Sequence, residues 1–156
     1  MISGGPEACL IIGVVDADAD ALTLILADRL ARIVPAGIHV EAADGMLWYS
    51  ADPGRFPGQQ GDYRVGRSGT YVRENLKAHG ATAEDRIARV AAQALDALQD
   101  YVDEATHDPW PGEKTPPCAH AQVRDAILHL WYGGPDIGDP VVLACEPVSI
   151  AQVRSA

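Results

Sequence analysis

The segment from residue 82 to residue 106 constrains the fold more than any other part of the chain. Apolar residues recur in it at every third or fourth position, which is the spacing of one face of an α-helix. Thr82 is a suitable N-cap, and the acidic residues that follow it suit the positive end of the helix dipole. Pro109 cannot continue a helix. We therefore predict a long amphipathic helix whose buried face consists of Ile87, Val90, Ala91, Ala94, Leu95, Leu98, Tyr101, Val102 and Ala105.

Before this helix, the hydrophobic pattern changes from that of a strand to that of a helix and back. The run CLIIGVV, residues 9–15, predicts a short buried strand. Leucines recur at helical spacing in residues 21–34 and predict a first helix. Ile38, Val40 and Ala42 alternate with other residues before the dipeptide Asp44-Gly45, which is typical of a hairpin turn. They predict a β-hairpin whose return strand covers Met46–Ser50.

The remaining strands are predicted from shorter or less regular runs. Tyr63–Val65 and Thr70–Arg73 are expected to be strands around a turn at Gly66–Gly69. Two apolar runs bounded by Gly and Pro lie in the last third of the chain. They predict strands at about 121–132 and 141–146.

The order of these elements predicts an α+β fold, with an antiparallel sheet packed by two helices. A length of 156 residues and a hydrophobic fraction of 47% are sufficient for a single domain over 1–156. The order helix, three strands, helix, two strands is similar to that of type III secretion chaperones, as are the size and the charge. The phrase LQDYVDEATHDPWPG, residues 98–112, resembles a segment of small uncharacterised actinobacterial proteins. That second resemblance implies no known activity.

Two ten-residue segments repeat a sequence pattern. VEAADGMLWY, residues 40–49, and VRDAILHLWY, residues 123–132, align without a gap and share the triplet Leu-Trp-Tyr. One explanation is a duplication of two α-β-β halves, at about 17–76 and 82–150. The other is convergence, because strands favour β-branched and aromatic residues. Both explanations stay open at the level of sequence.

The tryptophans are the aromatic candidates for contact with a partner. Successive side chains of a strand point to opposite faces, so one aromatic of each triplet should pack under the long helix while the other faces outward. We assign the outward role to Trp48 and Trp131, which would form a docking surface or be covered by a second copy. Trp110 lies between two prolines in a polar loop, and it either folds back on the core or docks a partner.

Three aspartates follow the first apolar run at every second position, in VVDADADALT. Asp16 and Asp18 match the Asp-x-Asp spacing of haloacid-dehalogenase-type phosphatases. However, Asp20 and Ala21 do not match the residues that follow in that family, and no suitable downstream lysine and acidic pair is present. We therefore expect Asp18 or Asp20 to cap the first helix.

The end of the long helix concentrates negative charge where the helix dipole disfavours it. Asp96, Asp100 and Glu104 follow one another at a spacing of four residues, so that like charges lie along one stripe. No arginine lies between residues 93 and 122 to offset them. This pattern is typical of a solvated face, and also of a surface for a basic partner. The residues that we predict to bind a partner are Asp96, Asp100, Asp103, Glu104, Asp108, Trp110, Trp48 and Trp131.

A metal site is the alternative at the same end of the helix. Glu104 and His107 are spaced as in carboxylate-bridged helical metal sites, which require a second matching helix. Cys118 and His120 are possible zinc ligands, although structural zinc sites usually show two close pairs of ligands. These four residues would be the centre of a metal-dependent enzyme or a small-molecule-binding protein. Apart from this alternative, no cofactor is expected.

The formal net charge of −10 favours basic partners and opposes binding to nucleic acid and to anionic membranes. No Lys or Arg precedes Arg29, so we expect no secretory signal. The three cysteines are widely spaced, which is typical of reduced thiols in a cytoplasm. We predict a cytoplasmic accessory protein of the chaperone, immunity or adaptor type that binds protein, is more typical of a non-enzyme than of an enzyme, and forms a homodimer.

Overall fold

A computed structural model describes residues 19–61, 66–77, 82–112 and 115–153 of the chain. In these ranges runs of strands are separated by helices, and this order confirms the predicted α+β class. None of the described helices is long and apolar enough to cross a membrane. The elements are α1 (19–31), β1 (Ile38–Ala43), β2 (Met46–Ala51), a 3-10 helix (Pro57–Gln59), β3 (Ser68–Tyr71), α2 (Val72–Lys77), α3 (Ala83–Thr106), β4 (Ala119–Arg124), β5 (Ile127–Gly133), β6 (Val141–Ala144), β7 (Val148–Ser149) and α4 (Ile150–Val153).

The described strands are antiparallel, as predicted, and they are divided between two hydrogen-bonded sheets. The first sheet has the order β1-β2-β3. In the second sheet β4 lies along one edge of β5, while β6 and β7 share the other edge. The ladder between β5 and β6 is irregular at Tyr132 and Gly133. Each sheet therefore contains one complete hairpin, β1-β2 or β4-β5.

Helix α3 packs against strands of both sheets and forms the centre of the core. All nine positions that the periodicity predicted for its buried face are buried. The hydroxyl of Thr82 accepts a hydrogen bond from the backbone N–H of Asp85 at 3.1 Å, which confirms the predicted N-cap. Helix α1 contributes Leu22, Leu26 and Leu30 to the same core, and each of these leucines is completely buried.

Two tyrosines, one from each Leu-Trp-Tyr triplet, connect the sheets to α3. The hydroxyl of Tyr49 donates to the carbonyl oxygen of Ala94 at 3.2 Å and lies 2.6 Å from the hydroxyl of Thr70, which can donate to it. The hydroxyl of Tyr132 donates to the carbonyl oxygen of Leu95 at 2.6 Å. Burial raises the pKa of both tyrosines, that of Tyr49 to about 12, so both hydroxyls keep their protons. The two sheets are thus anchored on consecutive residues of one helix.

The two Leu-Trp-Tyr triplets lie at different distances from the turns of their hairpins. Tyr49 lies four residues after the turn residue Gly45, whereas Tyr132 lies six residues after the turn residue Ala126. The difference of two residues preserves which face each side chain occupies. Both tyrosines therefore point toward α3. Whether this similarity reflects a duplication stays a prediction.

Two strand predictions are wrong in detail. The predicted strand 121–132 is interrupted by a turn at Asp125 and Ala126, which have φ angles of 52° and 61°. The sequence does not reveal this turn, because it lacks the glycine that usually adopts such angles. The predicted strand Thr70–Arg73 ends at Tyr71, and Val72 begins the unpredicted helix α2. The side chain of Val72 is completely buried, so packing outweighs the low helix propensity of a β-branched residue.

Other predictions are confirmed or cannot be compared with the structure. The hairpin at Asp44-Gly45 is confirmed, and β6 lies within the predicted segment 141–146. The predicted strands at residues 9–15 and Tyr63–Val65 lie outside the described residues, as do Asp16 and Asp18. The prediction that Asp20 could cap the first helix is wrong, because residue 19 is already helical; the Asp20 carboxylate instead pairs with Arg73 at 2.6 Å.

Replacing Ala126 by Gly should stabilise the protein by about 0.5–1 kcal/mol. The substitution removes the cost of a left-handed L-residue, which exceeds the added backbone entropy of the unfolded chain. Ala126 is exposed, so the change removes no packing. The matched change Gly45→Ala should destabilise by about 1–2 kcal/mol, because φ is 72° there and a Cβ would lie 2.9 Å from the side chain of Arg73. Urea unfolding measures both, and the same sign for both variants would contradict this account of the turns.

The tyrosine hydroxyls should contribute measurably to the free energy of unfolding. Tyr132→Phe should cost about 1 kcal/mol, and Tyr49→Phe about 1–2 kcal/mol because it also leaves the buried Thr70 hydroxyl without a partner. Tyr71→Phe is the control, since Tyr71 is 58% exposed and should change stability by less than about 0.5 kcal/mol. Urea unfolding of the three variants tests the prediction. Equal stabilities for all three would show that the bonds to α3 contribute nothing.

Candidate functional site

The acidic residues at the end of α3 are mostly exposed and form no ion pair with a described cation. Asp96, Asp100, Glu104 and Asp108 are exposed, while Asp103 is half-buried. No ion pair involves any of these five within the part of the chain that the structure describes. The last turn of α3 contains no basic residue, so its carbonyl groups add to the negative potential. The repulsion predicted from the sequence is therefore present on the surface.

The chain leaves α3 through a tightly bonded turn. His107 ends the helix in a left-handed conformation, and its backbone N–H donates to the carbonyl oxygen of Asp103 at 2.9 Å. The side-chain carboxylate of the same residue, Asp103, accepts a hydrogen bond from the backbone N–H of Trp110 at 2.8 Å. The ring of Trp110 then packs edge-on against Tyr132, with 5.3 Å between the ring centroids. Of the two alternatives for Trp110, the structure shows the one that folds back, although the side chain stays half-buried.

A groove of about 330 Å³ lies beside this turn. One wall comes from the end of α3 and the loop after it, and the other comes from the loop that contains the 3-10 helix. A side chain at Gly58 would overlap the backbone carbonyl of Glu104, so the two walls approach closely only because this residue is a glycine. We call this the α3-end groove; its lining residues are Pro35, Phe56, Pro57, Val102, Thr106, Asp108, Pro109 and Trp110.

The electrostatics of the groove are asymmetric. On the α3 side, burial raises the pKa of the Asp103 carboxyl, as does repulsion from Asp100, while the hydrogen bond from Trp110 lowers it. On the other side, the guanidinium of Arg55 lies 5.6 Å from the centre of the Phe56 ring and is paired with Asp52 at 3.1 Å. The negative charge beside the groove therefore lies on one side only, at the end of α3 and in the loop after it.

The other two predicted aromatic contacts, Trp48 and Trp131, offer a partner less surface. Trp131 is 5% exposed; its ring N–H donates to the carbonyl oxygen of Gly134 at 2.7 Å, and His120 stacks on it with 5.6 Å between ring centroids. Trp48 is half-buried, and the guanidinium of Arg67 lies 3.8 Å above its ring. Both rings point away from α3, as expected, but neighbouring residues of the same chain cover them.

The four candidate metal ligands are not brought into one site. Glu104 and His107 are exposed at the end of α3. Cys118 is an exposed free thiol, and the ring of His120 stacks on Trp131. Among the described residues, no three His, Cys, Asp or Glu side chains form a group that could hold a metal ion. The geometry therefore offers nothing in favour of the metal-dependent alternative.

The sequence predicted only part of the groove. The acidic residues and Trp110 were singled out, whereas Pro35, Phe56 and Pro57 were not. Phe56 is the only phenylalanine of the chain and lies in a Pro- and Gly-rich loop. An aromatic residue in such a loop is a weak signal, because nothing in the sequence shows which helix it meets.

The two roles of Asp103 can be separated by substitution. The pKa of the Asp103 carboxyl is raised in the folded protein, so the fold favours its protonated form. Its contribution to the free energy of unfolding is therefore fully present below the ordinary aspartate pKa, and it is lost as the pH rises through the raised pKa. Asp103→Asn keeps an oxygen acceptor for Trp110 and removes the ionisation, so it should be at least as stable as the native protein at pH 7. Asp103→Ala should be about 1 kcal/mol less stable than Asp103→Asn. Urea unfolding from acid to neutral pH measures both effects, and an Asn variant less stable than the Ala variant would contradict them.

Comparisons with protein-family models, with curated proteins and with solved structures found no match to the chain. The groove is therefore interpreted from its own residues. It combines an apolar, partly aromatic lining with the carboxylate of Asp108, which pairs with no described cation, and with the negative end of a helix. Such a surface is suited to hold a segment that carries both apolar and cationic side chains.

Proposed function

We propose that the protein is a non-enzymatic, cytoplasmic accessory protein of the chaperone, immunity or adaptor type. It binds a protein partner at the α3-end groove and the acidic surface beside it. The partner contributes a segment in which lysine or arginine is adjacent to an apolar or aromatic side chain. The observation that carries this proposal is the exposed carboxylate of Asp108 in the lining of an apolar groove, with the exposed Glu104 four residues before it on α3; neither acid forms an ion pair with a described residue.

Charge complementarity supports a basic partner. Like charges at a spacing of four residues destabilise a helix by a few tenths of a kcal/mol per pair. The described residues contain no cation that pairs with Asp96, Asp100 or Glu104, so the cost is not offset within this part of the chain. Cationic side chains of a partner would offset it. The overall charge of −10 would also accelerate association with a basic surface.

The lining of the groove supports an apolar component in the same segment. Phe56 and Trp110 are half-buried and face a common space between the two walls. Aromatic side chains in partly desolvated pockets carry much of the binding energy of protein interfaces. The carboxylates at the edge then form a polar rim, which determines specificity and the rate of association more than the affinity.

Two further parts of the proposal concern location and assembly. The free thiols of Cys118 and Cys145 are compatible with a reducing cytoplasm. A homodimer stays a prediction. Analytical ultracentrifugation determines whether such a dimer forms.

A labelled peptide in which arginines flank a leucine-tryptophan pair is a direct probe of the groove. The native protein should bind it, and binding should weaken as salt increases because the charges are exposed. Glu104→Gln combined with Asp108→Asn should weaken binding about tenfold, since each exposed pair contributes up to about 1 kcal/mol. Fluorescence anisotropy measures the affinity.

The matched control removes the same charge elsewhere. Glu41→Gln combined with Glu74→Gln neutralises two exposed carboxylates on β1 and α2 that do not line the groove, and it should leave binding unchanged within about twofold. A peptide with aspartate in place of arginine should not bind. Equal weakening by the two double variants would reduce the interaction to net charge, and no binding of the cationic peptide would reject the proposed function. If binding is specific, the same variants in a capture experiment identify the cellular partner.

A further inference from the structure

A second cavity, of about 240 Å³, lies on the outer face of the second sheet, away from the α3-end groove. It lies over the paired residues Trp131 and Ala144 of β5 and β6, beside the turn that connects these two strands. Its apolar walls are formed by Trp131, Ile137, Val141, Ala144 and Pro147. Val141 is 51% exposed, so half of an apolar side chain faces water at the mouth of the cavity.

Two of the residues that line the cavity, Trp131 and Cys145, offer a guest almost no hydrogen-bonding capacity. The ring N–H of Trp131 is already bonded to the carbonyl oxygen of Gly134, so this residue presents only its ring to the cavity. Cys145 lies at the inner end, and burial raises the pKa of its thiol to about 12, which keeps it neutral. The nearby Arg29 is engaged by the carboxylate of Asp28 at 2.8 Å. An apolar guest would therefore displace water from this space without breaking strong interactions.

One charged group lies at the edge of this cavity. Asp136 is exposed, and its carboxylate makes no hydrogen bond or ion pair with another described residue. The turn around it is held through the neighbouring Asp139, whose carboxylate accepts from the backbone N–H of Asp136 at 2.9 Å. His129 is the other polar residue of the lining. The Asp136 carboxylate thus lies free at the entrance to an apolar space that an indole ring lines.

We propose that this cavity binds a small aromatic amine, with its ring against Trp131 and its ammonium group beside Asp136. The volume lies between the cavities of about 150 Å³ that hold benzene and the pockets of about 300 Å³ or more that hold drug-sized ligands. A guest with one ring and a short chain therefore fits. The ammonium group is attracted by the carboxylate of Asp136. This site does not depend on the partner surface proposed above.

The test compares two probes of nearly identical shape, 2-phenylethylamine and its neutral analogue 2-phenylethanol. Nuclear magnetic resonance of the full chain follows the ring N–H of Trp131 and the backbone N–H groups of Gly138 and Ala144. The amine should shift these signals and bind at least about threefold more tightly than the alcohol. Phenylacetate, which carries the opposite charge, should bind more weakly than both. No shift of these signals by the amine up to about 10 mM would reject the site.

Two substitutions test the cavity and its charge separately. Ala144→Phe places a large side chain into the opening and should weaken binding of both probes about tenfold or more. Val142→Phe is the control on the same strand, because Val142 is 53% exposed and does not line the cavity. Asp136→Asn should abolish the preference for the amine while the alcohol binds as before.

The outcomes distinguish the proposal from non-specific association. Unchanged binding in Ala144→Phe, or equal weakening in Val142→Phe, would place the interaction elsewhere on the protein. An amine preference that persists in Asp136→Asn would reject the assigned role of this carboxylate. If Ala144→Phe does not fold, the Asp136→Asn comparison still decides, because that residue is exposed and its side chain bonds to no other described residue.

Discussion

The hydroxyls of Tyr49 and Tyr132 converge on consecutive carbonyl groups in the middle of α3, and the arrangement of both sheets depends on this convergence. Each bond satisfies a buried polar group that would otherwise carry a desolvation penalty. Because the two acceptors are adjacent, both sheets are held at fixed positions along one helix. Apolar side chains around this point complete the core, and the other elements are arranged around it.

The inward position of the tyrosines determines what the outer surfaces contain. Alternation along β2 and β5 directs Trp48 and Trp131 away from α3, where residues of the same chain cover their rings. Trp131 becomes a wall of the cavity on the second sheet, because the turn after β5 accepts its ring N–H at Gly134. Trp110 comes from a loop and is not subject to this alternation, and it is the tryptophan that lines the α3-end groove.

Helix α3 has a stabilising beginning and a destabilising end. Its first turn has a hydroxyl cap and favourable acids, whereas its last turn has carboxylates without basic residues. The hydrogen bond from Trp110 to Asp103 uses one of these carboxylates to hold the exit turn. The exposed ones do not contribute to the fold in this way. A chain that stabilises one end of a helix and not the other is locally inconsistent, and such inconsistency is typical of functional surfaces.

The sequence by itself determined the α+β class, the long helix with its cap and buried face, the hairpin at Asp44-Gly45 and the acidic stripe. These features depend on local periodicity and on residues with a strong conformational preference. It did not determine the turn at Asp125 and Ala126 or the helix α2, because packing there outweighs local preference. Only the tertiary structure placed Phe56 beside Trp110, since these residues are distant along the chain, and formed the cavity over β5 and β6, since its walls come from two strands and the turn between them.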